Sequence, residues 1–197
     1  MKINVGIYGG SGYGGSELLR ILLLHPQVEI SFVTANEQAG KRVSDVHRNL
    51  AGLTDLVFAS VSDGPPSLSD IDCVFLALPH GQAMAVVPSL PAQVKAIDLS
   101  GDFRLRDQQQ FEEHYGRAHT AMSSQSEFVY GLTETNREAI RDARFIANPG
   151  CFATATLLGL APLAANGSIN GRVIVDAKTV RLAPGQRQPQ TLTTRSV

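Results

Sequence analysis

At 197 residues, with 43% hydrophobic and 18% charged residues, the chain has the composition of a folded domain, or of one domain and part of another, and lies far from disordered sequences. Its formal net charge is −1 and its longest basic run is Lys41-Arg42, which excludes the electrostatic footprint of a nucleic-acid partner. No stretch approaches the length of a membrane span, so a cytoplasmic protein with no membrane partner is expected.

Residues Ile3–Tyr8 read as a strand that runs directly into Gly9-Gly10-Ser11-Gly12-Tyr13-Gly14-Gly15. A helix follows from Ser16 and stops before Pro26, which removes a backbone donor, and residues 28–34 restore a β-rich run. Strand, glycine turn, helix and strand within about thirty residues make a βαβ unit and imply a parallel sheet. Residues 62–69 form a polar, proline-bearing loop. Residues 73–78 and 94–99 read as further short strands around a helix-compatible stretch at 82–87, and Gln108–Tyr115 reads as a surface helix opening after Asp107. At Asn148-Pro149-Gly150-Cys151 a loop feeds an apolar helix over 152–163, and residues 172–178 resemble one more strand. The expected class is therefore α/β: a Rossmann-like doubly wound parallel sheet followed by the beginning of an incomplete α+β domain.

The glycines Gly9, Gly12 and Gly15 stand three apart between a strand and a helix. A dinucleotide pyrophosphate needs close backbone approach and the free N–H groups of a helix N-terminus, and this placement offers both. The bland alternative is a turn that merely lets a helix pack closely on a strand. The second strand ends at Thr34-Ala35-Asn36 without the carboxylate that would bind a ribose 2′-hydroxyl, which favours NADP over NAD. Lys41 and Arg42 either neutralise the 2′-phosphate or are simply solvated.

Two cysteines, Cys73 and Cys151, lack the spacing of a disulfide framework or a zinc site, and no metal is expected. Cys73 lies inside an apolar run and reads as structural. Cys151 opens a helix, where the positive end favours a thiolate and free amides can hold an oxyanion. A buried core cysteine at a helix start is the competing reading. A hydride carrier and a nucleophilic thiol in one chain together suggest a thioacyl intermediate reduced to an aldehyde.

These segments, together with Ala77-Leu78-Pro79-His80-Gly81, Asp98-Leu99-Ser100-Gly101-Asp102-Phe103-Arg104-Leu105, Tyr130-Gly131-Leu132 through Asn136-Arg137-Glu138, and Ala147-Asn148-Pro149-Gly150-Cys151, resemble the N-acetyl-gamma-glutamyl-phosphate reductase family of arginine biosynthesis. The likeness covers about the first 179 residues. It implies that Cys151 attacks the acyl phosphate of N-acetyl-glutamyl phosphate, expels phosphate and forms a thioester that NADPH reduces to the semialdehyde. It implies cofactor contacts from Gly9, Ser11, Gly12, Tyr13, Gly14, Gly15, Thr34, Asn36 and Pro79, and substrate contacts from Arg104 and Asn148. Arg104 either grips a phosphate or carboxylate or makes a loop-fixing salt bridge with Asp98 or Asp102, and His80 either lines the cofactor pocket or bonds its own loop. His47, His114 and His119 read as solvated.

Members of that family continue with a Gly/Ser-rich loop and a stretch carrying an acid/base histidine, and they associate through their second domain. After Thr179 this chain reads VRLAPGQRQPQTLTTRSV, without apolar periodicity. The expected layout is a cofactor domain over 1–147, the start of a catalytic and oligomerisation domain over 148–179, and an irregular tail over 180–197 produced by a frameshift or early stop. The competing functions are a related acyl-phosphate reductase, such as aspartate-semialdehyde dehydrogenase or a carrier-linked aminoadipate reductase, and a non-catalytic NADP-binding fragment or sensor.

Overall fold

A computed structural model describes residues 2–61 and 66–178. Thr179, the tail over 180–197 and the first part of the 62–69 loop lie outside the described residues. The chain divides into two compact units, Met1–Ala155 and Thr156–Val197.

The first unit alternates strands and helices: β1 (Ile3–Tyr8), α1 (Tyr13–Leu22), β2 (Val28–Ala35), α2 (Val43–Val46), β3 (Ala59–Ser60), β4 (Cys73–Leu76), α3 (Ala83–Val86), β5 (Lys95–Asp98), α4 (Gln108–Tyr115), β6 (Phe128–Tyr130), α5 (Thr133–Asp142), β7 (Phe145–Ala147) and the start of α6 (Cys151–Ala165). The strands form one sheet in the order β3-β2-β1-β4-β5-β7-β6, and each neighbouring pair is parallel. The doubly wound parallel architecture expected from the βαβ unit is present. The chain leaves β1 toward β2 on one side and returns to β4 on the other, so the order reverses between β1 and β4. In open sheets of this kind the crevice at the strand carboxyl ends, where the order reverses, is the ligand-binding position.

Alternation along the strands builds two cores. Val74 and Leu76 of β4 join one cluster with Tyr8, Met84, Phe103, Phe111, Phe128 and Phe145. Their neighbours Cys73 and Phe75 pack against the other, built on Val5, Ile7, Leu19, Val33, Val43, Leu50 and Phe58. Side chains two apart share a face, so the two clusters cover opposite faces of the sheet, as a doubly wound fold requires. Under the β5-β7-β6 side the rings of Phe103 and Phe128 stack with centroids 4.0 Å apart, and Phe128 meets Phe145 at 5.1 Å.

Several elements depart from expectation. Helix α1 begins at Tyr13, taking Gly14 and Gly15 into its first turn. Strands β6 and β7 and helix α5 occupy sequence in which no element was expected. Helix α4 has the expected limits because the Asp107 carboxylate caps it, accepting from the Gln110 amide at 2.8 Å, and Gly116 closes it at φ +65.

In the second unit α6 continues to Ala165. It ends in a Schellman arrangement in which Ser168 N donates to Leu163 O and Gly167 N to Ala164 O, with Gly167 at φ +66. Residues 172–178 form no strand. Their β-branched composition suits one, but a strand exists only as part of a ladder, and among the described residues none pairs with this segment. No helix among the described residues is long and apolar enough to cross a membrane.

Candidate functional site

Three loops converge on the carboxyl edge of the sheet. The first is the glycine loop after β1, and its glycines divide the work. Gly9 lies at φ +80, and a Cβ there would run into the Ala77 carbonyl at the end of β4, so it makes the tight turn. A Cβ on Gly15 would strike the backbone of Gly10, so Gly15 lets α1 sit directly on the loop. Gly12 and Gly14 have nothing within 4 Å of where a Cβ would stand, leaving the backbone open to an approaching ligand. No side chain caps α1, and the amides of Ser11, Tyr13 and Gly14 find no backbone acceptor among the described residues. Open backbone and unpaired donors at a helix start fit a dinucleotide pyrophosphate.

Behind this cradle stands β2. Thr34 is fully buried; its carbonyl accepts from Gly10 N at 2.8 Å and its hydroxyl from Gly9 N at 3.2 Å. Thr34 therefore shapes the loop from behind, with its hydroxyl committed to the protein. Asn36 is exposed just past the strand end, followed by exposed Glu37. Lys41 and Arg42 are exposed on the next segment, where Arg42 makes an exposed ion pair with Asp55 at 3.8 Å. His47, expected to be solvated, is buried, with its Nε2 bonded to Gly10 O at 2.8 Å. The second loop, after β4, brings exposed Pro79 and His80 to the same edge.

The third loop, after β5, ties the others together. Asp102 is fully buried, and its carboxylate accepts from Gly81 N at 2.7 Å and Met84 N at 3.3 Å. The Gly101 amide donates to His80 Nδ1 at 2.7 Å, and Arg117 donates to the His80 carbonyl at 2.6 Å. His80 thus accepts at Nδ1 and carries its proton on Nε2. Burial, and then the positive charge of Arg104, push its pKa below the ordinary histidine value. His80 spans two loops, a role wider than bonding its own. His119, also expected in solvent, is buried, with Nε2 2.8 Å from Asp102 O and its ring edge-on to Phe103 and Phe111; His114 is exposed as expected. Asp98 ends β5 fully buried, accepting from Ser100 N and Ser100 Oγ, both at 2.9 Å. Burial drives its pKa up to about 6, against the opposing pull of the Ser100 hydrogen bonds.

Arg104 extends this loop to the cysteine segment. Its Nε donates to Asn148 O at 2.8 Å and its Nη2 to Leu99 O at 2.9 Å. The expected salt bridge to Asp98 or Asp102 does not form; the guanidinium holds backbone carbonyls instead. Its Nη1 lies 3.1 Å from where a Cβ on Gly150 would stand, and the Tyr115 hydroxyl occupies the space that a Cβ on Gly101 would need. Asn148 N donates to Asp98 O at 2.8 Å, while the Asn148 amide nitrogen donates to Pro149 O at 3.1 Å. Gly150 O accepts from both Thr154 N, at 2.9 Å, and Thr154 Oγ1, at 3.0 Å, closing the first turn of α6. Cys151 is the first residue of that helix and is exposed in this chain, with its sulfur at a positive helix end. Cys73 is half-buried in β4, and burial pushes its thiol up to about 11, so it is inert at neutral pH.

The structure therefore brings Gly9 to Gly15, Asn36, Pro79, Arg104, Asn148 and Cys151 to one edge. It adds His47, His80, Asp98, Ser100, Asp102, Tyr115 and His119 as the groups that hold them. The signal for Asp98 was present in the sequence, since an Asp closing an apolar strand two residues before another polar turn residue is an Asx-turn pattern. The buried histidines have no comparable signal.

Residues 4–143 match the family described as semialdehyde dehydrogenase, NAD binding domain. The N-acetyl-gamma-glutamyl-phosphate reductase of Methanococcus maripaludis strain C7 is 44% identical over 191 residues, covering 95% of this chain and 54% of that protein. The protein of the same name from Azotobacter vinelandii is 48% identical over 179 residues, covering 90% and 52%. The chain thus spans about half the length of the curated relatives it matches. The crystal structure of aspartate semialdehyde dehydrogenase with NADP from Candida albicans superposes with a TM-score of 0.55 at 18% identity, covering 84% of this chain and 48% of that one, a likeness of fold.

Proposed function

The chain belongs to the semialdehyde dehydrogenase NAD-binding family, and from that premise we propose that it carries the cofactor site and the nucleophile of an NADP-dependent N-acetyl-gamma-glutamyl-phosphate reductase. The observation that carries this reading is an exposed cysteine at a helix start, on the same sheet edge as an open, amide-lined glycine loop. The relatives that share 44% and 48% of their aligned residues carry that name, which supports the choice of substrate.

Cys151, as thiolate, attacks the acyl-phosphate carbonyl. The bond from carbonyl carbon to phosphate oxygen breaks, inorganic phosphate leaves with the electron pair, and a thioester remains on Sγ. Amides of the first turn of α6 face the developing oxyanion, and the Arg104 guanidinium beside Gly150 attracts the departing phosphate or a substrate carboxylate. The open backbone of Gly12 to Gly14 would hold the pyrophosphate of NADPH, which when bound would supply the hydride that reduces the thioester. Cys151 is released as the aldehyde forms. Asn36 in place of a carboxylate, with Lys41 and Arg42 beyond it, favours the 2′-phosphate of NADP. The reading places the protein in the cytoplasm and expects self-association in the intact enzyme.

The chain should bind NADPH more tightly than NADH in a fluorescence titration. Incubated with N-acetyl-glutamyl phosphate, it should gain one acyl group by intact mass, lost in Cys151→Ser and weaker with aspartyl phosphate. Acylation at Cys73, or an equal preference for aspartyl phosphate, would overturn the assignment, and NADPH binding without any acylation would favour a cofactor-binding module.

A further inference from the structure

Gly10 cannot carry a side chain, because a Cβ there would collide with Val33 in the core. Its amide is fixed by Thr34 O at 2.8 Å and the preceding amide by the Thr34 hydroxyl. The orientation of the next peptide, from Gly10 C=O to Ser11 N–H, is not set by the glycine ψ itself, which is permissive, and so depends on the groups packed against it. What faces its oxygen is His47: Nε2 lies 2.8 Å from Gly10 O, and the residue is 9% exposed. A carbonyl only accepts, so Nε2 carries the hydrogen. The ring cannot drift, since it meets Phe58 edge-on at 5.9 Å, and the segment that delivers it is anchored by buried Val43 and Leu50 and by Val43 N to Leu56 O at 2.8 Å.

We infer that His47 is a positioning residue for the dinucleotide site: by holding the Gly10 carbonyl inward it turns the Ser11 amide outward into the cleft. The peptide is trans, so its N–H points opposite to its C=O. With the oxygen directed at His47 and pressed from above by Gly15 of α1, the Ser11 N–H has one direction left, away from the core, and it finds no backbone acceptor there among the described residues. The same short segment carries exposed Lys41 and Arg42 just before His47. The inference deepens the proposed dinucleotide binding and rests on it for its consequence, while the peptide orientation stands on the free protein alone.

The test uses the whole chain as wild type, His47→Leu, which removes the donor, and His47→Gln, whose side-chain amide can replace Nε2. In amide NMR spectra without ligand, the Ser11 and Gly10 signals should shift or split in His47→Leu and return toward wild type in His47→Gln. NADPH affinity should fall about tenfold in His47→Leu and recover in His47→Gln, as expected for one hydrogen bond's worth of preorganisation. Adenosine 2′-monophosphate, which lacks the pyrophosphate, should bind all three alike. Unmoved Ser11 and Gly10 signals, or an equal loss for both ligands, would overturn the assignment. If wild type binds neither ligand, the dinucleotide reading has failed, and the NMR comparison alone then decides the peptide orientation.

Discussion

The glycine loop and the cysteine segment stand on one sheet edge and differ in the side chains that hold them. The glycine loop is shaped by missing side chains and by short, buried partners beneath it, Thr34 and His47. The cysteine segment is held by a backbone hydrogen bond from Asn148 N to Asp98 O and by a long cation, Arg104, reaching across from the neighbouring loop to Asn148 O, while the cysteine itself is exposed. A phosphate cradle needs backbone brought close and kept still, which burial and glycine supply. A nucleophile needs access, so its support must come from the side. The difference shows how one architecture, anchoring both segments to neighbouring strands by backbone hydrogen bonds, serves a binding function with buried partners and a reactive one with a side-on cation.

Substitutions can break that contrast in graded fashion. Gly15→Ala should have the largest effect, because its Cβ meets the Gly10 backbone rather than a flexible side chain. A loss of about 3 kcal/mol or more in urea unfolding is expected, together with loss of NADPH binding, and a near-normal midpoint would show that α1 can slide away from the loop.

Next is a pH effect on the cysteine side. Asp98 has its pKa raised to about 6 from 3.8, so the folded state holds its proton more tightly than the unfolded one. Its contribution is fully present below the unfolded value and is lost as pH rises through the folded one. Between about pH 4 and pH 7 this site should remove up to about 3 kcal/mol of stability. Asp98→Asn should therefore gain on wild type across that range and run parallel above it; a pH-independent difference would mean that Asp98 is already ionised with ease.

Arg104→Lys keeps the charge but loses the two-way reach to Leu99 O and Asn148 O. Acylation of Cys151 should slow about thirtyfold, equivalent to about 2 kcal/mol, with NADPH affinity unchanged; equal losses in both would mean that Arg104 supports the whole edge. Gly12→Ala should be mildest in stability, about 1 kcal/mol or less, since nothing lies within 4 Å of the new methyl. Its effect should fall on NADPH affinity, and tight binding by this variant would place the pyrophosphate elsewhere.

Much of this arrangement was legible in the sequence where local chemistry decides structure. Strand β1 and the glycine turn announced themselves by an apolar run meeting Gly9, and α4 by Asp107 at one end and Gly116 at the other. Strands β6 and β7 were not legible: each has three residues, too few for any period to register, and each exists because of a partner distant in sequence. The same holds in reverse for residues 172–178, whose composition suggests a strand that lacks a ladder. Cys151 and Arg104 were visible as chemistry, although the guanidinium's choice of carbonyls over Asp98 and Asp102 depends on three-dimensional placement. His47 and His119 were misread because a lone histidine in a loop carries no pattern, and only the carbonyls of Gly10 and Asp102 beside them give them a role.

The insertion of β7 between β5 and β6 also orders events in time. As a nascent chain emerges, β2, β3, β4 and β5 each find one neighbour already made, in β1, β2, β1 and β4 respectively. Strand β6 does not: its neighbour in the sheet among the described residues, β7, is synthesised after it, so Phe128–Tyr130 must wait through all of α5. Non-local parallel pairing of this kind is intrinsically slow. The partners of the glycine-loop strands are therefore available before the half of the sheet that leads into Cys151 can pair.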